Sequence, residues 1–326
     1  MKRSTLLLMT SMLLTGLFVS GCKRDDGPDE AAPVGVTNEE QAMQYFAKND
    51  EFVANDEETF ADKSAETFDY GTFGKVDAAI TPLRWGRIIS SVTRTVTTTV
   101  QPGDTIAIAV VDKNIIGILK IRGVNQNGDT ITIDKPFNDV SKRHVIFKRV
   151  NRNPDKYWLN WVPVATSLVE GGTVVPNNLI DITKLVLYTS ATDTITIVDP
   201  NAYFLRYRWL KLFNGGRKDV PEMSAGQALK LQVTVVSASA DTDFVALRYG
   251  AGASQRKRVR LALVSEVNNG DGTYTRVFEI ARLAPQYVHF HRGFFHMGID
   301  AITRATLMDD VAPYSVSWWG IPYRVF

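Results

Sequence analysis

After Gly74 the chain shows the short-period alternation of apolar and polar positions that is typical of β-strands. The pair Asn127-Gly128, between two such runs, is a typical hairpin turn. Turn signals at this spacing predict an antiparallel sandwich or barrel formed by residues 76–165. The strands that we predict there lie at residues 91–100, 104–111, 115–122, 130–133 and 144–150.

A second β-rich region covers residues 176–326, and residues 151–175 are expected to join the two. Its turn Asn268-Asn-Gly-Asp-Gly-Thr-Tyr274 resembles the hairpins of bacterial and filamin-type immunoglobulin-like domains. The resemblance implies an immunoglobulin-like sandwich, so the predicted fold class is mainly β with two sandwich- or barrel-like domains. The strands predicted in this region lie at 185–189, 194–198, 204–212, 228–236, 244–249, 258–264, 274–280 and 287–291.

Helical spacing is found ahead of these strands, in an acidic segment at residues 38–75. Thr37 and Glu40 fit a capping box in which Thr37 is the N-cap, and Met43 and Ala47 follow at helical spacing. Residues 56–65 predict a second short helix. Both helices are only thinly apolar, so we expect each to pack through one narrow stripe.

Charge is unevenly distributed along the chain. Residues 23–70 hold 4 basic and 14 acidic residues, or −10, whereas residues 71–326 hold 31 basic and 21 acidic residues, or +10. Three arrangements fit this asymmetry: the acidic segment lies on its own body, it touches a neighbouring copy, or both are solvated faces. Nucleic acid is a poor partner for a body without a strong overall basic charge.

The N-terminus has the pattern of a secretory signal. A basic start at Lys2-Arg3 precedes an apolar run at residues 6–19, which is shorter than the roughly 20 apolar residues that span a membrane. Val19-Ser20-Gly21-Cys22 then resembles the lipobox of bacterial lipoproteins. This resemblance implies a signal peptide at residues 1–21, cleavage before Cys22, and acylation of that cysteine.

Residues 22–37 are rich in Gly and Pro, which predicts a flexible tether that is lipidated at its start. Lys23 followed by Asp25-Asp26 is similar to the surface-export signals of Bacteroidota lipoproteins, and the alternative is a plain charged tether. We therefore expect an outer-membrane lipoprotein on the periplasmic or the cell-surface face. Cys22 is the only cysteine, so the core has no disulfide.

Three of the four histidines, His289, His291 and His296, fall within eight residues of one another. A His-x-His pair in a strand points to one face, which is the beginning of a zinc site and of a metal-dependent hydrolase. The flanking aromatic residues favour partly buried, hydrogen-bonded histidines instead. The sequence contains none of the common nucleophile, phosphate-loop or metalloprotease motifs, so we predict a non-catalytic protein without a cofactor.

Aromatic and basic residues are the better candidates for binding. Exposed tryptophans at a cell surface stack on sugars or form protein interfaces, and the adjacent pair of tryptophans should point to opposite sides of a strand. A basic cluster is a candidate contact for polyanions such as lipopolysaccharide or acidic glycans. The aromatic candidates are Trp158, Trp161, Trp318 and Trp319, and the basic ones are Arg256, Lys257, Arg258 and Arg260.

These observations predict a membrane-anchored, non-catalytic lipoprotein that acts as a structural or protein-interaction subunit. Its partners would be membrane lipid at Cys22 and another envelope protein or a second copy. The alternatives are a glycan-binding lipoprotein, which requires exposed tryptophans, and the metal-dependent hydrolase.

Overall fold

The three longest of the described strands are longer than the sequence pattern predicts. The computed structural model describes residues 33–49, 53, 66–67, 79–188, 194–206, 222–223, 228–249, 257–283 and 293–325. The signal segment, Cys22, the second predicted helix and the predicted strand at 287–291 lie outside these residues. The chain from Pro33 to Phe326 forms one compact unit.

Two helices lie in the described residues, α1 at Glu39–Asn49 and α2 at Arg304–Met308, together with short 3₁₀ turns at Tyr157–Leu159 and Pro200–Ala202. The strands are β1 Glu66–Thr67, β2 Ile80–Val100, β3 Ile106–Asn125, β4 Thr130–Arg149, β5 Trp161–Ser167, β6 Val169–Thr173, β7 Ile180–Tyr188, β8 Thr194–Ile197, β9 Phe204–Arg206, β10 Glu222–Met223, β11 Ala228–Ser237, β12 Phe244–Tyr249, β13 Lys257–Arg260, β14 Ala262–Asn268, β15 Tyr274–Leu283, β16 Gly293–Ile302 and β17 Val316–Val325.

Strands β2, β3 and β4 form an antiparallel meander of 21, 20 and 20 residues. At about 3.3 Å per residue, each strand is roughly 65 Å long. The β3–β4 ladder runs from Ile106↔Lys148 to Val124↔Thr130, and Gly128, with φ of +88°, turns the hairpin as predicted. On β3 and on most of β4 alternate side chains are buried, so the meander has an inner and an outer face.

The sequence pattern predicts two shorter strands in place of each of β3 and β4, because charged residues interrupt the apolar runs, and in place of β2 it predicts only residues 91–100. Lys113 and Lys135 lie on the inner face and are 3% and 5% exposed. The ammonium group of Lys113 donates to the carbonyl of Val53, and that of Lys135 donates to the carbonyls of Asp309 and Ala312 at 2.5 and 2.7 Å. Distant carbonyls therefore satisfy the buried charges, and the strands continue through them.

One sheet includes both regions that were expected to be separate domains. In the described residues its main order is β1-β2-β3-β4-β6-β17-β16-β12-β13. Strand β6, within the expected linker, pairs with β4 on one side and with β17 on the other. The expected boundary between 165 and 176 is thus crossed by continuous pairing.

This sheet rolls, so that strands far apart in its order approach each other. The guanidinium carbon of Arg258 on β13 lies 3.8 Å from the ring centroid of Trp85 on β2. Arg87 on β2 forms a two-bond ion pair with Asp300 on β16, at 2.7 and 2.8 Å. The core enclosed by the roll includes Trp85, Ile115, Leu119, Phe137, Phe244, Leu307, Met308 and Trp318.

A second sheet, in the order β14-β15-β11-β7-β8, packs on the outer side of the rolled sheet. Leu185, Leu231 and Phe278 from the second sheet form one buried cluster with Ile299 and Trp319 of the first. Gly270 and Gly272, with φ of +82° and +87°, form the predicted turn between β14 and β15. The fold is therefore mainly β, with two layers of antiparallel sheet.

Helix α1 begins one residue later than the predicted cap implies. The side-chain oxygen of Asn38 accepts the backbone N–H of Gln41 at 2.8 Å, so Asn38, and not Thr37, is the N-cap. The Gln41 side chain reaches back to the N–H of Thr37 at 2.8 Å. Met43 and Ala47 are each 1% exposed because they pack on the inner face of the meander.

The Arg87–Asp300 pair generates a prediction about stability. Arg87→Met should lower the free energy of unfolding by about 3–5 kcal/mol, because it leaves Asp300 buried without its two-bond partner. The measurement is urea unfolding followed by tryptophan fluorescence.

The matched control is Lys120→Met, which breaks a 2.7 Å ion pair whose side chains are 40% and 46% exposed. An exposed pair contributes only about 0–1 kcal/mol, so this variant should unfold close to the wild type. Equal losses in the two variants would contradict a special role for the buried pair.

Candidate functional site

A cleft of about 700 Å³ lies on the outer face of the rolled sheet, where β7 crosses it. Strands β2, β3, β4 and β6 form its floor, and the first residues of β7 and the strand β17 form its wall. The second sheet covers the outer face next to the cleft but not at the cleft itself. The cleft therefore lies at the border where the two-layered part of the body ends.

The register of the strands places the floor residues in one row. Thr95 pairs with Asp112, Asp112 with Lys142, Lys142 with Glu170, and Glu170 with Trp319. Neighbouring strands are about 4.8 Å apart, so these side chains stand side by side across the floor. The next row contains Thr93, Asn114, Val140, Gly172 and Ser317.

Carboxylates outnumber cations in the cleft, with Asp112, Glu170 and Asp181 beside Lys142. Burial raises the pKa of Glu170, and the negative charges of Asp199 and Asp181 raise it further. Burial also raises the pKa of Asp181, against the hydrogen bond from the hydroxyl of Ser317 at 3.3 Å. The lining therefore offers hydroxyl, amide, carboxylate and ammonium groups to a polar ligand.

A second polar group lies on the inner face, inside the roll. Asp300 accepts both hydrogen bonds from Arg87 and lies 3.4 Å from Nε of Arg248. The Tyr314 hydroxyl donates to Asp139 at 2.9 Å, and its ring stacks on Phe137 with centroids 5.0 Å apart. These residues join β2, β4, β12, β16 and the segment before β17 into one buried network.

Burial raises the pKa of Asp139 to about 7, although the nearby Arg87 cation and the hydrogen bond from Tyr314 act to lower it. Burial also raises the pKa of Tyr314 well above its usual value. The network therefore contains one carboxyl group that changes its charge near neutral pH.

A further buried ion cluster ties the second sheet together. Arg276 on β15 pairs with Asp243 at 2.6 Å and with Glu266 at 2.5 Å. Its guanidinium also donates to the carbonyls of Ser239 and Ala240, at 2.9 and 3.1 Å. Asp243, in the turn before β12, is thus the buried partner of this arginine.

The predicted aromatic residues lie largely in the interior. Trp161 is 2% exposed; its indole N–H donates to Glu39 at 2.8 Å, and Arg149 stacks on its ring at 4.4 Å. Trp158 is half-buried, edge-on to Tyr157. Trp161 therefore holds helix α1 on the body and offers no open face to a sugar.

Trp318 and Trp319 point to opposite sides of β17, as predicted, yet both are core residues at 2% exposure. Trp318 belongs to the core inside the roll, and Trp319 to the core between the two sheets. Both can be core residues because β17 is covered on both faces. A stacking surface made of these tryptophans is not formed.

The basic cluster is only partly described. Arg256 and the side chain of Lys257 lie outside the described residues. Arg258 and Arg260 are half-buried, and their guanidinium carbons lie 3.8 and 4.7 Å from the ring centroids of Trp85 and Phe244. Both arginines therefore pack on aromatic rings of β2 and β12. This packing leaves less of each guanidinium group exposed to a polyanion.

Of the three clustered histidines, only the backbone of His296 lies in the described residues. His289, His291 and the side chain of His296 lie outside the described residues, while the backbone of His296 pairs with Pro322. Within the described part of the chain, no three His, Cys, Asp or Glu residues are close enough to hold a metal ion.

Sequence reasoning missed the cleft. The one local signal of the cleft in the sequence is a threonine at every second position, which places four hydroxyls on one face of a strand: Thr93, Thr95, Thr97 and Thr99. The partners of these threonines come from strands whose register cannot be read from the sequence.

A comparison of the chain with protein-family models and with curated protein sequences finds no match.

The raised pKa of Asp139 generates a prediction about pH. The folded state keeps a proton on this carboxyl group between pH 4 and pH 7, whereas the unfolded state, with a pKa of about 3.9, has lost it. The folded state binds more protons in this window, so the contribution of Asp139 to stability falls as the pH rises. Relative to Asp139→Asn, which can still accept from Tyr314, the wild type should lose stability from pH 5 to pH 8.

The measurement is denaturant unfolding of both proteins at several pH values in this window. Asp243, whose pKa burial raises to about 6, is present in both proteins and cancels in the difference. Asp134→Asn, at an exposed position on β4, is the control and should give a curve parallel to the wild type. Parallel curves for wild type and Asp139→Asn would contradict the prediction.

Proposed function

We propose that this protein is a non-catalytic lipoprotein of the cell envelope, held on the outer membrane through acylated Cys22, whose β body acts as a protein-interaction subunit. The observation that carries the interaction is strand β14, an edge of the second sheet in which every residue is exposed. The docking of helix α1, which fixes the point where the tether meets the body, supports the anchored arrangement.

Helix α1 is held on the body by Glu39. Its carboxylate accepts from Arg149 at 2.9 Å, from Asn160 at 2.6 Å and from the indole of Trp161 at 2.8 Å. Partial burial acts to raise the pKa of Glu39, but these hydrogen bonds lower it overall. Of the two described acidic residues at 33–49, Glu39 thus lies on its own body, which supports the first of the three arrangements considered from the charge pattern.

This docking limits the reach of the proposed anchor. Ten residues lie between Cys22 and Pro33, and an extended chain covers at most about 3.6 Å per residue step. The point where the chain enters the body would therefore stay within roughly 40 Å of the acylated cysteine. In the described residues no helix has both the length and the apolar character needed to cross a bilayer.

Strand β14 offers both main-chain and apolar groups to a partner. Its outer edge has no neighbouring strand in the described residues, and an open edge of this kind can accept an added strand. Leu263, Val264 and Val267 on this strand are 41%, 58% and 59% exposed. Three exposed apolar side chains on one open edge favour a protein partner or a second copy over a solvated surface.

The proposed anchor makes a direct prediction. The wild-type protein should partition into the detergent phase and carry acyl chains on residue 22 by mass spectrometry. Cys22→Ser should move to the aqueous phase, because a single serine provides no site for the thioether-linked lipid. Detergent partitioning of Cys22→Ser that matches the wild type would exclude this anchor.

The proposed interface makes a second prediction, tested by cross-linking in native membranes. The wild type should give a discrete cross-linked species, either a ladder of itself or one complex of fixed size. Val264→Lys/Val267→Lys should lose that species, because two cations on the edge prevent close strand pairing.

Val311→Lys is the matched control, since Val311 is 85% exposed and lies in the loop before β17. It should cross-link like the wild type. A species that survives in both variants would place the interface elsewhere, and the absence of any species in the wild type would contradict the proposal.

A further inference from the structure

We propose that the cleft between the meander and β7 binds a short, neutral oligosaccharide. This inference goes beyond the proposed protein interaction and does not depend on β14 or on Cys22. It places the glycan site on polar residues of β2, β3, β4 and β6, and not on the tryptophans that the sequence indicates.

The cleft has the size and rigidity of a small-molecule site. Its volume of about 700 Å³ lies within the 300–1,000 Å³ that is usual for such pockets. Its floor consists of strands paired in continuous register, so the lining side chains are held at fixed spacing before a ligand arrives. A preformed site of this kind loses little conformational entropy on binding.

The chemistry of the floor matches hydroxyl groups. Each sugar hydroxyl both donates and accepts a hydrogen bond, and so it needs acceptors and donors on the protein. Asp112 and Glu170 are acceptors, Lys142 is a donor, and the hydroxyls of Thr93 and Thr95 serve as either. Asn114 and Asn178 add amides that present a donor and an acceptor together.

The order of charges favours a neutral ligand over an ion. Lys142 stands between Asp112 and Glu170 in the same row, with cross-strand pairing on both sides. Opposite charges at this spacing attract each other, so Lys142 offsets part of the negative charge of the two carboxylates. A free cation would have to displace Lys142, and a free anion would meet two carboxylates.

One apolar side chain completes the floor. Val140 lies in the row next to Lys142 and is 45% exposed. Its methyl groups offer a surface for the C–H face of a sugar ring, while the polar groups around it address the hydroxyls. Trp319 is 2% exposed, so it lies in the core behind the wall of the cleft. It pairs with Glu170 and supports the floor from there.

The test compares two pairs of isosteric substitutions on the same strand and face. Thr93→Val/Thr95→Val removes two hydroxyls inside the cleft, and Thr97→Val/Thr99→Val removes two exposed hydroxyls beyond it. Valine keeps the shape and the strand preference of threonine, so both double variants should fold. The probes are maltotriose, xylotriose, cellotriose and chitotriose, titrated calorimetrically against the full-length protein in detergent.

We expect at least one trisaccharide to bind, and the affinity to fall at least about tenfold in Thr93→Val/Thr95→Val. The Thr97→Val/Thr99→Val variant should bind like the wild type. The proposal is overturned if no probe binds at about 10 mM, a concentration that reveals even millimolar affinity, or if both double variants lose affinity equally. Calcium or spermidine binding at the cleft without any trisaccharide binding would also overturn it.

Discussion

The ion pair between Arg87 and Asp300 is the constraint on which the architecture depends. It joins two strands that are far apart in the sheet order, and both side chains are almost fully buried. A buried ion pair needs good geometry to offset the cost of desolvation, and here Arg87 donates two hydrogen bonds to Asp300 while Nε of Arg248 lies 3.4 Å from the same carboxylate. The pair forms only where the sheet rolls far enough to bring β2 to β16, and the same rolled shape encloses the core of Trp85, Phe137 and Trp318.

The roll also determines how the outer face is used. A curved sheet presents only part of its convex side to a second sheet, and β7 marks the limit of the covered part. On the covered side the outer residues of β17 and β16 are core. Beyond β7 the second sheet does not cover the outer residues of β2, β3 and β4, and the cleft forms at the border between the covered and uncovered parts. The buried network inside and the cleft outside are thus consequences of the same curvature.

The local signals in the sequence were sufficient for the fold class, the two hairpin turns and helix α1, because each depends on neighbouring residues. Long-range pairing was not accessible. Lys113 and Lys135 interrupt apolar runs and so indicate turns, yet carbonyls more than fifty residues away in sequence satisfy them. The burial of both Trp318 and Trp319, and the row of Thr95, Asp112 and Lys142, likewise depend on strands whose register only the folded chain defines.

The two-residue period of the long strands separates the face that holds helix α1 from the face that forms the cleft. Val96 and Val111 point inward and pack on helix α1, whereas their neighbours Thr95 and Asp112 point outward into the cleft. The chain therefore enters the body on the opposite face of the meander from the cleft. A single alternation of apolar and polar residues along β2 and β3 thus places helix α1 on one face of the meander and the cleft on the other.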